Sequence, residues 1–166
     1  FNSLLNALQQ SISETNIVMN EMASGRFSKR IKAQCKGELE TLKQATNHCA
    51  DSLDIAIGEI NQVVKAMSVG QFSHQLNAPM SGDLDKLKSN INQSLQSLND
   101  TMNAIVGVME NVEHGDFKGQ VSIAAQGKLG QLKDSVNNSV FSVSGAIDEI
   151  STVMRAIKQG DFSQRV

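Results

Sequence analysis

Gly70-Gln71-Phe72-Ser73-His74-Gln75-Leu76-Asn77-Ala78-Pro79-Met80-Ser81-Gly82-Asp83-Leu84 is the stretch whose reading decides the fold. Its opening triplet returns as Gly25-Arg26-Phe27, Gly115-Asp116-Phe117 and Gly160-Asp161-Phe162, always at a step of 45 residues. Its closing triplet returns at the same step as Gly37-Glu38-Leu39 and Gly127-Lys128-Leu129. Leu42-Lys43, Leu87-Lys88 and Leu132-Lys133 follow in phase, then Asn47, Asn92 and Asn137. Self-similarity at one fixed period is the signature of a repeat architecture. The chain reads as about three and a half copies of one unit.

Working outward from the connector, the flanking segments are helical. Apolar or small residues fall at Leu39, Leu42, Thr46, Cys49, Leu53, Ile57, Ile60, Val64 and Met67. Their steps of three and four make a heptad seam with one extra step of four, a stutter, between Leu53 and Ile57. The seam recurs from Leu84 to Val112, with the stutter at Leu98 to Met102, and from Leu129 to Ile157, with the stutter at Val143 to Ile147. The pattern predicts helices over Glu38–Val69, Asp83–His114 and Lys128–Gln159, each working as two halves. Gly25, Gly70, Gly115 and Gly160 fall where a left-handed residue ends a helix. Glu38 and Asp83 place an acid at the positive end of the helix dipole, whereas Lys128 carries the wrong charge there, so the third copy is expected to open less well.

The connector decides the topology. Antiparallel helix hairpins use loops of roughly 2–5 residues. Here the connector runs from one glycine to the other, with apolar pairs at Phe27 and Ile31, Phe72 and Leu76, Phe117 and Val121, and Phe162 and Val166. A half-helix of about 16 residues is roughly 24 Å long, and an extended connector of about 12 residues reaches roughly 40 Å. The connector can therefore run back along its helix and start the next one parallel to it. Two parallel half-helices with one seam each cannot close a core. Two chains can, as a parallel four-helix bundle. The expected fold is all-α: parallel homodimeric four-helix bundles stacked end to end.

Composition agrees. Hydrophobic residues are 40 % of the chain, Trp and Tyr are absent, and Pro79 is the sole proline, which is poor material for a β-sandwich or barrel. The 15 basic and 17 acidic residues leave a net charge of −2, so no electrostatic footprint for nucleic acid stands out. No apolar run is long enough to span a bilayer. A chain opening on Phe1 reads as a piece of a longer protein.

The unit of two parallel amphipathic helices and a Gly-x-φ-x-x-x-φ connector resembles the HAMP domain. The second helix of that family opens on Asp-Glu-φ-Gly-x-Leu and continues to Phe-Asn. The counterparts here are Gly37-Glu38-Leu39-Glu40-Thr41-Leu42 with Thr46-Asn47, then Gly82-Asp83-Leu84-Asp85-Lys86-Leu87 with Ile91-Asn92. The third is Gly127-Lys128-Leu129-Gly130-Gln131-Leu132 with Val136-Asn137. The family glycine survives only as Gly130, the acid is lost at Lys128, and no proline opens an internal first helix. The resemblance implies HAMP units at 1–53, 54–98 and 99–143, and the first helix and partial connector of a fourth at 144–166. It also implies a signal relay between the sensor and output domains of a homodimeric transmembrane receptor, in the cytoplasm at the inner membrane. A methyl-accepting chemotaxis protein is the leading context. A sensor histidine kinase, or a passive coiled-coil spacer, is the alternative.

No catalytic constellation stands out, and neither cofactor, metal, small-molecule ligand nor nucleic-acid partner is expected. His48, His74 and His114 occupy different phases of the repeat, and Cys35 and Cys49 have no metal-ligand spacing. The scattered carboxylates read as a solvated helix face. The candidate functional residues are the connector set and the second-helix openers: Glu38, Leu39, Asp83, Leu84, Lys128 and Leu129. Gly58, Gly107 and Gly145 lie inside helices, and Thr46, Cys49, Ser94 and Ser139 thin the seam, as suits an element with two packings.

Overall fold

A computed structural model describes residues 2–161 and Ser163. The fold is all-α, with four helices and no strand among the described residues. They are α1 (Asn2–Ala23), α2 (Glu38–Ser68), α3 (Asp83–Glu113) and α4 (Gly127–Lys158). The chain divides into two compact units, Phe1–Asn92 and Gln93–Val166. Phe162 and Val166 lie outside the described residues.

The helices start and stop within one residue of the sequence expectation. Gly25 takes φ +76°. Around it the Arg26 N–H donates to the Glu21 carbonyl at 2.9 Å and the Gly25 N–H to Met22 at 2.9 Å. This paired closure satisfies carbonyls that a helix end leaves free. The same two bonds close α2, α3 and α4 at Gly70, Gly115 and Gly160. Val69, His114 and Gln159 therefore belong to the turns rather than to the helices.

α4 departs at its start. It opens one residue ahead of Lys128, and the Gly130 N–H bonds the Gln126 carbonyl at 3.2 Å. A Cβ on residue 130 would meet the Ala125 carbonyl oxygen at 2.9 Å. Glycine at that one position admits the carbonyl, which accounts for the altered opening.

Thr46 apart, the buried residues of the helices do not follow the heptad seam. Ala50 and Ala56 are fully buried in α2, with Val63 close behind, and Leu95, Thr101 and Val108 repeat them 45 residues later. Ser11 and Val18 precede them in α1, and Val140 follows in α4. This second stripe faces the connectors. In the first unit Val18 packs with Ile31, Ala33, Met22 and Cys35. In the second unit Val108, Val121 and Val140 form the centre, covered by Ala104, Ile105, Val112, Phe117, Ile123 and Val136. Much of the seam itself is exposed in the single chain: Leu42, Ile57, Val64, Leu87, Met109, Leu132, Val143, Ile147 and Ile157.

Candidate functional site: the connector clasps

Each connector is held by paired polar contacts as well as by its apolar residues. In the first, the Ile31 N–H donates to Asn47 Oδ1 at 2.8 Å and the Asn47 Nδ2 donates back to the Ile31 carbonyl at 3.0 Å. Asn92 treats Leu76 the same way, at 2.9 and 3.0 Å, and Asn137 treats Val121 the same way, at 2.8 and 3.1 Å. One turn earlier, Lys43 Nζ donates to the Ala33 carbonyl, Lys88 to Ala78 and Lys133 to Ile123, at 3.2, 2.8 and 3.1 Å.

The other wall is a carboxylate. Glu14 Oε2 accepts from the N–H groups of Lys32 and Ala33 at 2.7 and 2.8 Å. Glu59 Oε2 accepts from Asn77 and Ala78 at 2.8 and 3.1 Å. An amide from Gln10 and the two backbone donors hold the Glu14 carboxyl below the usual carboxylate range. For Glu59 the two backbone donors do this. The reading of these two acids as part of a solvated face is corrected here: they are bound to the connector. The signal that would have found them is their 45-residue step.

The contact order settles the direction of the chain. Along the first connector, Ile31 packs with Val18, Ala33 bonds Glu14, and Cys35 Sγ lies 3.1 Å from Ser11 Oγ. On the other helix, Ile31 bonds Asn47 and Ala33 bonds Lys43. As the connector number rises, its partners on both helices fall. The connector runs antiparallel to α1 and to α2, so these two helices are parallel. The pairings Leu76–Asn92 and Ala78–Lys88, and Val121–Asn137 and Ile123–Lys133, have the same order.

Of the apolar connector pairs, the second member is the anchor. Ile31, Leu76 and Val121 are 3 %, 1 % and 2 % exposed, whereas Phe27, Phe72 and Phe117 are half-buried. Leu39, Leu84 and Leu129 are half-buried, while Glu38, Asp83 and Lys128 are exposed. Asp83 pairs with Lys86 at 2.9 Å, one turn along its own helix.

The copies differ around this common frame. Among the described residues the first alone has a guanidinium bridge: Arg30 Nε donates to Asp51 Oδ1 at 2.6 Å, and its other nitrogens reach Asp54 and the Phe27 carbonyl. In the third copy Ala104 stands where Glu14 and Glu59 stand, and the N–H groups of Ser122 and Ile123 have no hydrogen-bond partner among the described residues.

A parallel helix pair strapped by an extended connector defines a class of helical module. Residues 1–55 match the family model described as HAMP domain, and a HAMP domain is found there. Neither the curated proteins nor the solved structures compared with the chain gave a match. HAMP domains are signal-relay modules, in general cytoplasmic parts of dimeric membrane receptors. No helix among the described residues is long and apolar enough to cross a membrane.

Proposed function

We propose that the chain is a tandem array of HAMP units that relays conformational change between the sensor and output domains of a homodimeric receptor. The observation that carries this reading is the clasp itself: Asn47–Ile31, Asn92–Leu76 and Asn137–Val121 repeat one geometry well beyond residue 55. The units are those of the repeat, 1–53, 54–98, 99–143 and a partial fourth at 144–166. The connector residues and the helix openers act by setting helix packing, and none acts as a catalyst.

The exposed seam supports a homodimer. A groove of about 680 Å³ in the first unit is lined by the seam residue Leu39 and by Leu8, 45 residues before the seam residue Leu53, together with Ala7, Ser11 and Cys35. A second copy of the chain supplies matching apolar surface at no cost in new sequence. A methyl-accepting chemoreceptor in the cytoplasmic membrane is the context proposed, since the unequal clasps suit a relay with graded units better than a uniform spacer.

Inter-chain spin-label distances test the reading, with single labels at Asn61 and at Asn138 in a background lacking Cys35 and Cys49. Short distances at both positions are expected for a parallel, in-register dimer. A monomer, or a long distance at either position, removes the relay. Fusion of the intact array between a receptor's sensor and its kinase-control domain then reads output. A Leu76→Ala array that passes the stimulus unchanged would establish a passive spacer instead.

A further inference from the structure

We propose that the third connector binds a small monocarboxylate supplied from outside the repeat, held by the N–H groups of Ser122 and Ile123 and by Lys133. The donors are placed as in the other two copies. Val121 and Ile123 keep the bonds to Asn137 and Lys133 that Ile31 and Ala33 make to Asn47 and Lys43. The chain bends at Ile123 as it does at Ala33 and Ala78. Two adjacent N–H groups that grip one carboxylate oxygen at Glu14 and at Glu59 are thus presented again, and none of the described residues supplies the acceptor.

Charge points the same way. The openings of α2 and α3 carry Glu38 and Glu40, and Asp83 and Asp85, whereas α4 carries Lys128 and Gly130 at those phases. Lys43 is neutralised by Glu40 at 2.9 Å. Lys133 has no acidic partner among the described residues and holds only the Ile123 carbonyl. The third copy thus replaces the two acids of its helix opening by a lysine and a glycine, while Asp116 is the acid of its connector and bonds the Lys118 N–H. Charge-assisted bonds from such donors favour an anion over water.

The missing group defines the ligand. Ala104 keeps the Cβ of the glutamate, so the part not supplied is CH2–COO−, which is an acetate. Ser122 is exposed and Ala104 half-buried, which leaves an approach from solvent. Ala104 and Ile123 both pack against the apolar cluster of Val108, Val121 and Val140, a setting that favours a short-chain carboxylate over phosphate or sulfate, whose stronger hydration is harder to remove.

The test is an amide-resolved NMR titration of the whole chain with sodium acetate against sodium chloride at equal ionic strength. Saturable shifts of the Ser122 and Ile123 amides are expected, with half-saturation on the order of 10 mM for a few charge-assisted bonds near the surface. The Lys32, Ala33, Asn77 and Ala78 amides, already bonded internally, should not follow. Ala104→Glu should abolish the acetate response by supplying the acceptor, and Ala104→Leu by filling its place. Lys133→Gln should raise the half-saturation about threefold, the scale of one exposed charge contact. Shifts no larger than with chloride, or a response in either residue-104 variant as large as in the unaltered chain, overturn the proposal. So does a response to the peptide acetyl-Gly-Glu-Gly-amide without one to acetate, because it would assign the donors to a protein side chain.

Discussion

Asn47 holds both polar groups of Ile31, accepting from its N–H at 2.8 Å and donating to its carbonyl at 3.0 Å. A side-chain amide is the one uncharged group that can mimic a strand neighbour in this way. It lets an extended segment be buried without leaving backbone donors or acceptors unpaired. The structure repeats this solution at Asn92 and Asn137.

Replacing Asn92 by Ala leaves the buried Leu76 peptide groups without both partners. A loss of about 1–3 kcal/mol is expected for such unsatisfied groups. Chemical denaturation of the chain checks it, and Asn92→Asp should recover the acceptor but not the donor. An unchanged midpoint for Asn92→Ala would contradict the clasp.

Leu76 is 1 % exposed, whereas Phe72 is half-buried. Leu76→Ala should therefore cost about 2–4 kcal/mol, the range for removing a buried leucine. Phe72→Leu should cost less than half of that. Thermal melts of the two variants rank the anchors, and a larger effect at Phe72 would reverse the assignment.

Acid should act on two connectors and spare the third. Glu14 and Glu59 are held below the ordinary carboxylate value of 4.5, so their contribution is complete above that value and is lost as pH falls through the lowered folded values. Amide exchange at Lys32, Ala33, Asn77 and Ala78 should rise there relative to the intrinsic rate. Ser122 and Ile123, facing Ala104, should show no such step. A common step in all three connectors would point to global unfolding rather than to the two carboxylates.

Glycine substitutions separate two roles. Gly107 lies mid-helix with open space where a Cβ would go, so Gly107→Ala should stabilise by about 0.5–1 kcal/mol. Gly115 has φ +81°, and Gly115→Ala should destabilise by about 1 kcal/mol because an L side chain is strained there. Melting curves of the pair should move in opposite directions.

The repeat was legible because four connectors share one phase, and the helices because their apolar steps of three and four leave little choice. The glycine at each helix end was legible for the same reason. Glu14 and Glu59 were not: an acid on a helix flank resembles a solvated residue, and Ala104 interrupts their phase. The connector-facing stripe also escaped notice, since Ser11, Ala50, Ala56 and Thr101 are small or polar and do not read as a core. Their burial follows from the close approach of the connector, which only the tertiary fold supplies. Thr101 stays satisfied by bonding the Ser97 carbonyl at 2.7 Å.

α2 takes part in two clasps at once. Asn47 fastens the connector before it and Glu59, twelve residues further on, fastens the one after it. These points lie about 18 Å apart along one rigid rod. A twist or slide of α2 therefore drags both straps together, as a crankshaft moves two rods. α3 bears Asn92 at the first of these phases and Ala104 at the second. Its trailing strap has no carboxylate pin on that side, so among the described residues α3 holds the third connector through apolar contacts such as Val108 on Val121, a joint that resists separation but not sliding.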